Sequence, residues 1–177
     1  MLLYLIGVIS ICSHASAGVA TPRSDPWADG GEARAKIVIE QCRDRARETP
    51  HMNSYACVDA AFDRCIEEHG GGHMSQRDLN DCATFSRRAW EARLVEVRAL
   101  LTKEDLTSSG RKHLLPLISQ LRESERRWDA WNVTDCAVQS ELSRGGTIHR
   151  MQEDQCLADH AAYRVRELEG LVESWLN

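Results

Sequence analysis

The chain has 177 residues, a net charge of −5, 42% hydrophobic and 28% charged residues, and only eleven glycines and four prolines. These values exclude a low-complexity disordered chain and fit one soluble domain with a small extension. The mild acidity disfavours nucleic acid and favours encounter with cationic partners.

Met1 to Ala17 carries no Lys, Arg, Asp or Glu. Its apolar run, Leu2 to Ile11, leads into Ala15-Ser16-Ala17, which reads as a signal-peptide cleavage site over residues 1–17. The run is well short of the roughly twenty apolar residues that span a bilayer, so no stable membrane insertion is expected after cleavage. Cleavage removes Cys12 and leaves six cysteines, Cys42, Cys57, Cys65, Cys82, Cys136 and Cys156. In a periplasmic or secreted chain these read as three disulfides, with fifteen possible connectivities.

Residues 18–31, with Pro22, Pro26 and three glycines, read as a flexible linker. Residues 32–74 read as a helical hairpin. Its first helix runs from Glu32 to Glu48 and stops at Thr49-Pro50. Its second is capped by Asn53 or Ser54 and ends at the glycines 70–72. Ser75 and Asp78 form a capping-box pattern for a third helix, which reaches about Leu101. Leu79, Cys82, Ser86, Trp90, Leu94, Val97 and Leu101 give that helix one buried stripe. Thr102 to Gly110 is a polar connection. Pro116 sits in the first turn of a fourth helix, with Leu117, Leu121, Trp128, Trp131, Val138 and Leu142 as its apolar face. A fifth helix runs from Thr147 to Trp175, lined by Ile148, Met151, Leu157, Ala161, Val165, Leu168, Val172 and Trp175.

No segment alternates long enough for a strand, so the expected fold is all-α, an antiparallel bundle of about five helices braced by disulfides. Trp90 and Trp128 are both nineteen residues from position 109 and are expected at one level of an antiparallel pair. Cys136 and Cys156 are both ten residues from Gly146, where Gly145-Gly146 breaks the helix. That symmetry predicts a bridge across a helical hairpin. Cys42 with Cys57 and Cys65 with Cys82 would each join adjacent helices across a short turn.

Candidate chemistry is sparse. Cys136, His149, Cys156 and His160 have the residue types of a zinc site, but thiols in an oxidising compartment pair with each other. His69 and His73 flank the glycine run and read as loop punctuation. No G-x-S-x-G motif and no distinct carboxylate pair appears, so no enzyme, metal or cofactor is expected.

Several spacings resemble the LprI-like lysozyme-inhibitor family, small helical proteins of bacterial envelopes. Trp128, Trp131 and Cys136 match W-x-x-aromatic-x-x-x-x-C and are followed by Gly145-Gly146-Thr147. Cys156, Leu157, Arg164 and Leu168 match C-L-x-x-x-x-x-x-R-x-x-x-L. Cys57 and Cys65, then Cys82, Trp90, Glu91 and Leu94, look like the longer members. The resemblance covers about Cys57 to Leu168 and implies that residues 75–177 form an LprI-like three-helix domain. It also implies a non-enzymatic protein-binding role, with lysozyme or another envelope protein as partner; the alternative is an envelope-maintenance module without inhibitory activity. The chain departs from the family pattern at Asn132-Val133, where Arg-Asp is usual, at Val95 for Asn, and at Arg98 for Tyr. If the chain inhibits lysozyme, Ser143 to His149 or Thr102 to Lys112 is the expected contact loop.

Overall fold

A computed structural model describes residues 27–49, 54–70, 73–102 and 115–176. Five α-helices occur among them: α1 Gly31–Glu48, α2 Ala60–Glu68, α3 Gln76–Thr102, α4 Leu115–Glu141 and α5 His149–Leu176. A 3₁₀ turn, Ser54–Cys57, precedes α2. No strand occurs among the described residues, and the all-α class holds. None of the helices there is long and apolar enough to cross a membrane. The expected signal peptide and most of the connection after α3 lie outside the described residues.

Local chemistry explains the boundaries. The Ser75 N–H donates to the Asp78 carboxylate at 2.9 Å, and the Asp78 N–H donates to Ser75 Oγ at 3.3 Å, a capping box with the shorter acid. The Ser75 bonds hold the Asp78 carboxyl below its ordinary range. Helix α1 stops at Thr49, which is extended as a residue before proline must be. After α2, Gly70 takes φ +94°, the left-handed conformation that glycine adopts without strain. The expected single second helix is broken at Val58-Asp59. There the Val58 carbonyl turns to accept the Trp90 indole N–H at 3.1 Å, which satisfies a polar group inside the core.

Successive helices run antiparallel, so α1, α3 and α5 point one way. Side-chain pairs fix this: Lys36 meets Glu96 at 2.5 Å, and Thr84 and Arg93 on α3 meet Asp154 and Glu169 on α5 at 2.5 and 2.6 Å. The principal neighbour of α3 is α5, and α4 packs mainly on α5. The main core joins Ile39 and Cys42 of α1, Ala61 and Cys65 of α2, Trp90, Leu94, Val97 and Leu101 of α3, and Ala161, Val165 and Leu168 of α5. Three disulfides brace it, Cys42–Cys57, Cys65–Cys82 and Cys136–Cys156, with Cα separations of 5.6, 5.6 and 5.5 Å.

Three expectations need correction. The stretch read as a linker to residue 31 is anchored at Trp27 and Gly31, with residues 28–30 exposed between them. Trp27 is fully buried and stacks on Phe85, and Gly31 opens α1 where an added Cβ would lie 2.4 Å from the Phe85 ring. Trp90 and Trp128 do not share a level. Trp128 lies beneath Arg98, eight residues beyond Trp90 and hence about 12 Å along α3. Finally, much of the apolar face assigned to α4 is exposed: Leu117, Trp131, Val138 and Leu142 face solvent. The buried positions of α4 are Ile118, Asn132, Cys136 and Ser140, a largely polar face.

Candidate functional site

The exposed face of the α4–α5 hairpin is the clearest surface feature. Trp131 and Val138, seven residues apart, lie on one stripe of α4, and Leu142, the first residue after the helix, continues that line four residues on. Leu142 is 94% exposed. The stripe leads into the turn before α5, where Gly145 takes φ +81°. The Gly146 N–H donates to the Ser143 carbonyl at 2.9 Å, Ser143 Oγ donates to the Ser140 carbonyl at 2.9 Å, and His149 Nδ1 meets that same carbonyl at 2.7 Å. Arg144 pairs with Glu141. The loop is therefore a series of closed turns rather than an open strand.

The Trp131 ring stacks on His160 of α5, centroids 4.8 Å apart and planes 15° apart. His160 is fixed on its other sides. Its Nδ1 lies 2.8 Å from Asn132 Oδ1 and 3.6 Å from Cys136 Sγ, and its Nε2 lies 3.7 Å from Asp135. Because the amide oxygen only accepts, Nδ1 carries the proton. Asn132, a departure from the family pattern, is thus a buried anchor for the ring beneath Trp131. Val133 and Val95, the apolar replacements, are exposed.

Most of the other motif residues are structural. Trp90, Leu94 and Leu168 are buried, and Gly145-Gly146 shape the turn. Arg164 donates through Nε, at 2.8 Å, and through Nη2 to one oxygen of Glu125. The other oxygen accepts from Arg98 Nε at 2.6 Å, and Arg98 also reaches Asp129 at 2.8 Å. Glu125 thereby ties α3, α4 and α5 together.

Cys136, Cys156 and His160 place their ligand atoms within 4.8 Å of one another, as do Cys65, His69 and Cys82. In each group the two sulfurs are bonded to each other and offer no thiolate for a metal. His149 is instead engaged at Ser140. The expected connection loop, Thr102 to Lys112, lies almost wholly outside the described residues.

A second cluster carried no sequence signal. Tyr55 and Tyr163 pack at 5.1 Å, with the Arg166 guanidinium 3.7 Å over the Tyr55 ring. Nearby Asp159 is pushed up to about 6, first by burial and then by the Asp59 charge. A carboxyl whose folded pKa is raised binds its proton more tightly in the native state, so stability is gained as pH falls from above 6 towards 4. Asp159→Asn should therefore raise the melting temperature at pH 7.5, and the gain should vanish at pH 4. Thermal scans across that range check it; an equal gain at both pH values would show that charge is not the cause.

Residues 66–168 match the family described as lysozyme inhibitor LprI. The chain is also 31% identical over 107 residues to an uncharacterized protein of Rhizobium meliloti (strain 1021), covering 57% of this chain and 76% of that one. No solved structure matches it. Trp90, Trp128, the glycine pair, the Cys136–Cys156 bridge and Arg164 all lie within the matched span, and the chain belongs to the LprI family of lysozyme inhibitors.

Proposed function

We propose that this chain is an exported, non-enzymatic binding protein that inhibits lysozyme by docking the α4 stripe and the turn that follows it onto the enzyme. The observation that carries the reading is the line of Trp131, Val138 and Leu142, large apolar side chains held in water on a disulfide-pinned hairpin. A soluble protein exposes such a line at a cost, and contiguous apolar patches rimmed by polar groups mark interaction sites. The turn and the Trp131–His160 stack are fixed before binding, so little conformational entropy is lost on docking. The net charge of −5 steers a cationic hydrolase towards this surface. Family membership supports lysozyme as the partner, and three disulfides together with the apolar leader at 1–17 support a periplasmic or secreted site of action. On this reading residues 75–177 form the inhibitory domain, with 32–74 bracing it.

The test is cell-wall turnover by a cationic lysozyme in the presence of the oxidised protein, at low and high salt. Inhibition should appear and weaken with salt. Leu142→Arg combined with Val138→Arg should raise the inhibitor concentration needed by about tenfold or more, as loss of a central apolar contact does. These positions are exposed, so folding is retained. Full lysozyme activity at a large excess of the wild-type protein would sink the inhibitor reading and favour an envelope-maintenance role.

A further inference from the structure

The Cys136–Cys156 bridge differs from the other two in its surroundings. Cys42, Cys57, Cys65 and Cys82 are all members of the main buried core, and Cys136 and Cys156 are not. No fully buried side chain of α4 belongs to that core; only the half-buried Leu121 and Trp128 pack against it. Otherwise α4 is held by the bridge and by polar and ring contacts: Glu125 between Arg164 and Arg98, Asp129 on Arg98, Trp131, Asn132 and Asp135 around His160, and the Ser140 carbonyl at His149. Cys156, 8% exposed, is the most accessible of the six bridged cysteines. Its partner sulfur, Cys136 Sγ, lies 3.6 Å from His160 Nδ1, whose hydrogen rests on Asn132 Oδ1 at 2.8 Å and is within reach of the sulfur.

We propose that the Cys136–Cys156 bridge is a dithiol-reducible latch fastening α4 to a core that stays folded without it, with His160 serving Cys136 as the leaving sulfur. A thiolate of a dithiol reductant attacks Cys156 Sγ. The S–S bond breaks and its electron pair goes to Cys136 Sγ, where the His160 Nδ1–H hydrogen-bonds the new thiolate until solvent protonates it. The second thiol of the reductant then attacks the mixed disulfide at the reductant's own sulfur and releases Cys156. The protein gains two electrons and two protons, and the dithiol becomes a disulfide. Stabilising the leaving thiolate speeds this exchange. The Cys65–Cys82 bridge also has a histidine close by, His69, but both of its sulfurs are wholly buried and closed to attack.

The experiment uses the oxidised full chain in dithiothreitol without denaturant, quenched by alkylation over time and mapped by mass spectrometry, with hydrogen exchange followed in parallel. Cys136 and Cys156 should be alkylated first. Amides of 115–141 should then lose protection while α1, α3 and α5 keep theirs. His160→Ala should slow opening of this bridge about tenfold, the effect of a poorer leaving thiolate. If another bridge opens first, or all three open with loss of protection everywhere, there is no separable latch. An unchanged or faster rate in His160→Ala removes the role assigned to that histidine. These readouts involve no partner, so they stand or fall apart from lysozyme inhibition.

Discussion

Replacing Trp27 by Ala should destabilise the fold by about 3–5 kcal/mol, the range for truncating a large buried aromatic side chain. Trp27 is fully buried. Its ring stacks on Phe85 at 6.0 Å, and its indole N–H donates to Glu68 Oε2 at 2.8 Å. Glu68 keeps Arg34 as a partner at 2.7 Å after truncation, so the loss is mainly packing between Phe85 and the start of α1. Trp27→Phe keeps most of the ring contact and loses the hydrogen bond, for about 1 kcal/mol. Urea unfolding of both variants tests this. A loss under about 1 kcal/mol for the alanine variant would mean that the segment before α1 does not close the core, since truncating a buried aromatic costs several times more.

Arg164→Ala should cost about 3 kcal/mol, at the lower end for breaking a buried ion pair. The Arg164 and Glu125 side chains are 15% and 12% exposed, so the pair is shielded from solvent. Arg98 stays on the other Glu125 oxygen, which keeps the cost from being larger. Arg164→Lys should recover only part of the loss, because an ammonium cannot reproduce the fixed Nε and Nη2 donors that converge on one Glu125 oxygen. Glu125→Gln should lower stability as well, and the double variant Arg164→Ala/Glu125→Gln should cost less than the sum of the two. Strict additivity in that cycle, read by thermal and urea unfolding, would show that the pair is not coupled.

The sequence made the α3 stripe plain because one face of that helix meets both α1 and α5, so small or apolar residues recur at every third or fourth position. The hairpin bridge was legible for a simpler reason: two cysteines equidistant from a helix-breaking glycine pair have few other geometries. The level of Trp90 against Trp128 was not legible. Centring the connection does not set the register of two helices that meet mainly through a third. The buried face of α4 was not legible either, because its large apolar residues do not point inward. Counting instead from Cys136, which must point at its bridge partner, puts Trp131, Val138 and Leu142 about 120–160° away around the helix. Asn132 and Ser140 then fall on the inner side, where the structure has them. Trp27 gave no signal, because an isolated tryptophan beside prolines and glycines has no periodicity to read. Arg164 was visible only through the family motif, since its partner Glu125 lies thirty-nine residues away.

The pattern of the three bridges bears on how the chain is made. Among the six bridged cysteines each pairs with its neighbour along the chain, at separations of 15, 17 and 20 residues. A polypeptide that enters an oxidising compartment amino terminus first therefore presents its cysteines in native couples. Each bridge can close once its second cysteine has emerged, with no long-range partner to wait for. Simple vectorial oxidation selects one of the fifteen connectivities, so this architecture is suited to maturation without a disulfide isomerase.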